Sequence, residues 1–125
     1  MHATKKKILF IEDEPDQITI VRMRLETNGF EFVSADNGKD GLKKAVSEKP
    51  DLILLDIIMP GMSGLEVCEK LRKDPKTASI PVIATTAAGI DDLERQCFSA
   101  GVDDCVRKPY EAEDLLKKIR HLIAK

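Results

Sequence analysis

The chain has 125 residues, 42% hydrophobic and 34% charged, with 20 Lys plus Arg against 22 Asp plus Glu for a formal charge of -2. That length predicts one domain over 1–125 with its core at about 5–124. The near-neutral balance argues against direct nucleic-acid binding or an anionic membrane surface. Lys5, Lys6 and Lys7 sit at a terminus, where they serve solubility.

Cys68, Cys97 and Cys105 are odd in number and lack CxxC or finger spacing, so neither a disulfide framework nor a zinc site is supported. "KKK" passes straight into "ILFI" and then into acids, without a signal-peptide pattern, and no apolar run reaches the length of a membrane span. A reduced, cytoplasmic protein is expected.

"KILFI" (7–11) reads as the first strand. "EDEPD" then supplies the acids and the proline that suit the first turn of a helix, which carries Ile18, Val21 and Leu25 on one side and stops at Asn28 and Gly29. "FEFVSA" (30–35) is a second strand candidate, followed by a helix with Leu42, Ala45 and Val46 that ends before Pro50. "DLILL" (51–55) is the third strand, and Leu65, Cys68 and Leu71 mark the next helix, closed at Pro75. "PVIAT" (81–85) precedes a helix with Leu93, Cys97 and Ala100 that stops at Gly101. The weaker "DCV" (104–106) precedes a last helix with Leu115, Ile119, Leu122 and Ile123. Runs such as "KILFI" and "PVIAT" lack the alternation of a half-exposed strand, as strands covered on both faces should. Five strands alternating with five helices imply an α/β fold, a doubly wound parallel sheet between helices. Ligands of such sheets lie at the carboxyl ends of the strands.

Those ends carry Glu12 and Asp13 after the first strand and Asp56 after the third. Thr85 and Thr86 end the fourth, and Arg107, Lys108 and Pro109 the fifth. Three carboxylates on one edge repel each other unless a cation neutralises them. An all-oxygen set of Glu12, Asp13 and Asp56 with the backbone carbonyl of Ile58 suits Mg²⁺, with Mn²⁺ possible, better than zinc. Asp56 on a rigid strand end can act as nucleophile towards phosphorus, with Lys108 and a threonine hydroxyl contacting phosphoryl oxygens. Each residue alone reads as a helix cap or loop carboxylate, and only their joint placement on one edge points to a site. The residues leave open a phosphoryl-transfer site and a generic metal or nucleotide site.

"KILFIEDEPD", "DLILLDIIMPGMSG", "PVIATTA" and "RKPY", in that order and spacing, resemble the receiver domain of two-component response regulators over nearly the whole chain. No GxGxxG or GxxxxGK[ST] follows the first strand. The resemblance implies a flavodoxin-like sheet of strand order 2-1-3-4-5. Asp56 becomes the phosphorylated aspartate, Glu12 and Asp13 the acidic pair that organises Mg²⁺, and Lys108 the lysine that senses the phosphoryl group. It selects Thr86, five positions after Pro81, as the switch hydroxyl and leaves Thr85 to end the strand as a packing residue. The Lys108–Pro109 bond is expected to be cis. Pro60 and Gly61 make a tight turn, and Gly64 lets the chain enter the next helix without a side chain at the active edge. Met59 and Tyr110 read as core or rim residues.

The resemblance also implies partners: a histidine kinase or phosphotransfer protein as donor, and a downstream protein target on the face of the fourth helix, fifth strand and fifth helix. A homodimer is possible, with no direct nucleic acid and no membrane. Two departures stand out. Glu12 replaces the commoner aspartate, and Cys105 sits where the family usually has an aromatic ring that moves on phosphorylation, so it reads as a small filler at a switch position. Ile58 and Ala88, two beyond Asp56 and Thr86, are apolar and cannot orient a water, which predicts slow dephosphorylation. A small metal-dependent phosphatase is the enzymatic alternative, but Ile58 cannot serve as its general acid. A pure interaction module without phosphorylation is the other, and the intact set Glu12, Asp13, Asp56, Thr86 and Lys108 argues against it.

Overall fold

The computed structural model describes residues 5–87 and 92–124. Its elements alternate as β1 (Lys7–Ile11), α1 (Pro15–Thr27), β2 (Glu31–Ala35), α2 (Gly38–Ser47), β3 (Leu52–Asp56), α3 (Gly64–Lys73), β4 (Val82–Ala87), α4 (Leu93–Ala100), β5 (Asp104–Lys108) and α5 (Ala112–Ile123). The strands form one parallel sheet of order β2-β1-β3-β4-β5, a doubly wound α/β fold of flavodoxin-like topology. β1 meets β2 on one side and β3 on the other, so the winding reverses there and the strand ends of β1 and β3 flank a crevice.

The missing alternation in the strands has its reason in the packing. Ile8, Phe10, Leu52, Leu54, Ile83 and Val106 face α1 and α5, where they meet Val21, Leu25, Leu115, Leu116 and Ile119. The residues between them, Leu9, Ile11, Ile53, Leu55, Val82 and Ala84, face the opposite layer and pack with Ala45, Val67, Cys68, Leu71, Leu93 and Cys97. Each fully buried Leu or Ile contributes roughly 1.5–3 kcal/mol. β3, buried at all five positions, is therefore a rigid support for the residue at its end.

Helix starts follow from local chemistry. Pro15 stands at the first turn of α1, where its missing N–H costs nothing. The side chain of Asn37 accepts from the Asp40 amide at 2.8 Å, and that of Ser63 from the Glu66 amide at 3.3 Å.

Strand boundaries differ from the sequence reading, by two residues at the ends of β4 and β5. β4 continues through Thr86 to Ala87, so Thr85 is an interior strand residue and not its last. β5 extends from "DCV" to Lys108 because the register Thr86↔Arg107 and Ala87↔Lys108 continues the ladder with β4. The segment 88–91 that leads into the expected fourth helix lies outside the described residues, and α4 is described from Leu93.

Arg72 ties α3 to both loops at the amino ends of β4 and β5. Its Nε donates to the Gly101 carbonyl at 2.9 Å, and its Nη1 to the carbonyls of Ala78 and Ile80 at 3.0 and 2.7 Å. Nη2 donates to Asp103 Oδ2 at 2.8 Å, and that oxygen also accepts the Val82 amide at 2.8 Å. Arg72→Ala strands several carbonyls and is expected to cost about 2 kcal/mol in urea unfolding. Arg72→Lys should recover less than half of that loss, because an ammonium lacks the planar fork.

Candidate functional site

The carboxyl edge of the sheet brings Glu12, Asp13 and Asp56 together, one carboxylate oxygen from each lying within 4.8 Å of the others. Glu12 directly follows β1, and its amide donates to the Ala35 carbonyl of β2 at 3.0 Å, which holds it at the sheet edge. Glu12 and Asp56 are 1% and 5% exposed, whereas Asp13 is half-buried. Two of the three charges are thus held away from water beside each other, and proximity to one another is unfavourable for both.

The charge nearest to offset them is Lys108. Its Nζ lies 3.5 Å from Asp56 Oδ1 and 3.7 Å from Glu12 Oε2. The Lys108–Pro109 peptide bond is cis. One ammonium facing three carboxylates leaves the cluster negative. Burial, and then the neighbouring negative charge of Asp56, push the Glu12 carboxyl up to about 7. Glu12 Oε1 receives the Glu14 amide at 3.3 Å, but buried Oε2 has no hydrogen-bond partner among the described residues. An orphaned buried oxygen aimed into an all-carboxylate pocket fits a hard divalent cation. The donor chemistry contains no nitrogen or sulfur that would favour zinc.

The loop after Asp56 is set by backbone contacts. The Ile57 amide donates to Thr85 O at 3.2 Å, and the Ile57 carbonyl receives the Gly64 amide at 2.9 Å. The Ile58 amide turns back to Asp56 Oδ1 at 3.3 Å, while the Ile58 side chain is 54% exposed at the mouth of the site. A Cβ at Gly64 would collide with the Asp56 carbonyl oxygen and stand 2.6 Å from Ile57 Cα. Glycine is required there because the start of α3 closes on the backbone of the acidic strand end. Gly61, with φ +79, supplies the left-handed turn just before it.

The two threonines separate by strand alternation. Thr85, wholly buried, faces the α1 and α5 layer, and its hydroxyl has no hydrogen-bond partner among the described residues. Thr86, 2% exposed, faces the opposite layer, and its Oγ1 donates to the Val106 carbonyl at 3.5 Å. Its hydroxyl is therefore engaged with β5 and not with the carboxylates. Cys105 is half-buried and packs against the α2, α3 and α4 layer. Ala88 lies outside the described residues.

Tyr110 is a partly buried rim residue, as the sequence reading has it. It packs against the α1 and α5 core and lines a cleft of about 580 Å³ between those helices, with Lys108 and Pro109. Burial, followed by the negative charges of Glu12 and Asp56, pushes its phenol up. Its place two residues after Lys108 carries it to the same edge.

The Glu12 pKa of about 7 lies above its ordinary 4.5. Its stabilising contribution is complete below about 4.5 and is lost as pH rises through 7. In metal-free buffer, Glu12→Gln is expected to raise the urea midpoint at pH 8, by about 1–3 kcal/mol in stability, and the gain should shrink towards pH 4.5. Added Mg²⁺ should stabilise the wild type and have a smaller effect on the variant.

The family model for the response regulator receiver domain matches residues 8–120. Protein PilH of Pseudomonas aeruginosa is 36% identical over 118 residues, covering 94% of this chain and 98% of that protein. The DNA-binding dual master transcriptional regulator RpaA of Synechocystis is 39% identical over 117 residues, 94% of this chain but 48% of its own length. The chain spans about half the length of most of the curated relatives it matches. Among solved structures, the CheY-like response regulator receiver domain protein of Methanospirillum hungatei superposes with a TM-score of 0.89 at 30% identity, covering 97% of this chain and 95% of that one. The chemotaxis response regulator CheY4 of Vibrio cholerae gives 0.88 at 26%, covering 95% and 99%. With the family model matched over nearly the whole chain and the sheet superposing on solved receiver domains, the chain belongs to the response regulator receiver domains.

Proposed function

We propose that Asp56 is the phosphoacceptor of this receiver domain. The observation that carries the reading is the meeting of the Glu12, Asp13 and Asp56 carboxylates within 4.8 Å, with the Lys108 ammonium 3.5 Å from Asp56. A carboxylate oxygen of Asp56 attacks the phosphorus of a phosphohistidine on a histidine kinase or phosphotransfer protein. The new P–O bond forms as the P–N bond breaks, and the imidazole nitrogen leaves with the electron pair. Glu12, Asp13, Asp56 and the Ile58 backbone carbonyl would hold Mg²⁺, or Mn²⁺ in its place, which when bound offsets charge on the phosphoryl oxygens.

The residues of the chain do the rest. β3 fixes the nucleophile, and Lys108 supplies a permanent cation towards the incoming phosphoryl group. The product carries about -1.5 to -2 of charge and strong acceptor oxygens. Thr86 has to leave the Val106 carbonyl to donate to them, which exchanges a long hydrogen bond for a charge-assisted one. That movement pulls on β5 and biases the face of α4, β5 and α5, the surface proposed to meet a downstream protein or a second copy of the chain. Cys105 has no ring to move, so the threonine and the lysine carry the switch.

Incubation with acetyl phosphate and Mg²⁺ is expected to add one phosphoryl mass to the wild type and none to Asp56→Asn. Labelling of Asp56→Asn, or an unmodified wild type with abundant donor, would remove the proposal. Hydrolysis of the acyl phosphate should be slow, because the exposed Ile58 offers no polar group to an approaching water. Ile58→Asn is expected to shorten the lifetime of the phosphorylated form several-fold, read by intact mass over time. Equal lifetimes would show that this side chain does not limit water attack.

A further inference from the structure

The layer formed by α3, α4 and the sheet contains all three cysteines, with Cys97 of α4 and Cys105 of β5 packed in one apolar cluster. On β5, Cys105 and Arg107 are two residues apart and so share a face. On α4, Glu94 and Cys97 are three apart and lie side by side on the helix surface. Glu94 and Arg107 form an ion pair that fixes the helix against the strand. The crossover helix runs opposite to the strands it connects. Moving from Glu94 to Cys97 therefore travels about 4.5 Å in the same direction as the roughly 6.6 Å step back from Arg107 to Cys105. The next rung after the ion pair brings Cys97 opposite Cys105.

Other observations agree. Cys97 is wholly buried in the same apolar cluster against which Cys105 packs, and the residues of that cluster lie on one face of the sheet. The negative charge of a Cys105 thiolate is among the causes that hold the Cys97 thiol up, after burial. Cys105 is half-buried and lines a shallow cleft of about 550 Å³ with Arg107, Glu111 and Lys118, which gives a small reagent access. Cys68, on α3, is fully buried and has no such approach.

We propose that Cys97 and Cys105 are a dithiol pair that a small-molecule disulfide converts into a covalent bridge between α4 and β5. The Cys105 thiolate attacks one sulfur of the reagent, forming a mixed disulfide and expelling one small thiolate, which takes up a proton. Deprotonated Cys97 then attacks Cys105 Sγ and expels the second. Two protein thiols lose two electrons and two protons, and the reagent's S–S bond is reduced to two thiols. Burial pushes Cys97 up to about 11. Cys105 is raised by burial and by Glu94 and Asp104, against Lys118 and Arg107. Few thiolates exist at neutral pH, so the exchange is slow and quickens by about tenfold per pH unit in the alkaline direction. The bridge would stand beside Val106, whose carbonyl receives Thr86, and would tether α4 to the strand that carries Lys108.

The test treats the native full chain with oxidised glutathione at mildly alkaline pH, quenches it with an alkylating reagent in denaturant and maps the peptides. The expected product is lighter than the reduced chain by two hydrogens before alkylation, retains one alkylable thiol, at Cys68, and joins the Cys97 and Cys105 peptides. Cys97→Ser should stop at a glutathione adduct on Cys105, Cys105→Ser should remain unmodified over the same period, and Cys68→Ser should form the same bridge. Three alkylable thiols in the treated wild type, a stable glutathione adduct on it, or a bridge to Cys68 overturns the proposal. The wild-type peptide map decides the matter even where a variant fails to fold.

Discussion

Negative charge gathered at the carboxyl edge of the sheet is the constraint on which the rest of the molecule depends. Glu12 and Asp56 are almost wholly removed from water, Asp13 stands beside them, and one lysine at 3.5 and 3.7 Å answers them. Such an edge is electrostatically unfavourable by itself. It persists because β1 and β3 are locked at the centre of the sheet by apolar layers on both faces, so the chain cannot relax the carboxylates apart without opening the core. The repulsion is also why a divalent cation fits the edge, since it would offset charge that the chain's own lysine leaves in excess.

The loops around that edge serve the same end. Gly64 allows α3 to close on the backbone of Asp56, and the Ile57 and Ile58 amides hold the loop to Thr85 and to the Asp56 carboxylate. Thr86 rests on the Val106 carbonyl across β4 and β5 at 3.5 Å, a weak contact that little opposes its release. At the opposite, amino edge of the sheet, Arg72 and Asp103 bind the loops firmly. The molecule thus has one end held by a dense hydrogen-bond network and one end where charge is left in excess, and the chemistry belongs to the second.

Cys105 stands on β5 where the receiver resemblance leads one to expect an aromatic ring. A thiol is too small to sweep between core and solvent, so in the proposed switch a displacement of β5 is carried by the Thr86 and Lys108 backbone of the paired strands. The thiol packs against the same apolar cluster as Cys97 and lines a shallow cleft beside Arg107 and Lys118. Tyr110, packed towards α1 and α5 on the other face, feels the acids of the site through space but belongs to a different layer.

By itself the sequence determined the element order, the parallel sheet and the identity of the acidic and basic residues at the strand ends. Those follow from periodicity, from proline and glycine punctuation and from the rule that each parallel strand needs a helical return. It could not place the end of β4 at Ala87 or extend β5 to Lys108, because strand length is decided by the ladder with a neighbour and not by apolar content. Nor could it show that Glu12 keeps one buried oxygen without a partner among the described residues, that Thr86 leans on Val106, or that Cys97 and Cys105 meet in one apolar cluster. Each of these is a relation between residues far apart in the chain or on different elements, fixed only when helices settle into register on the sheet.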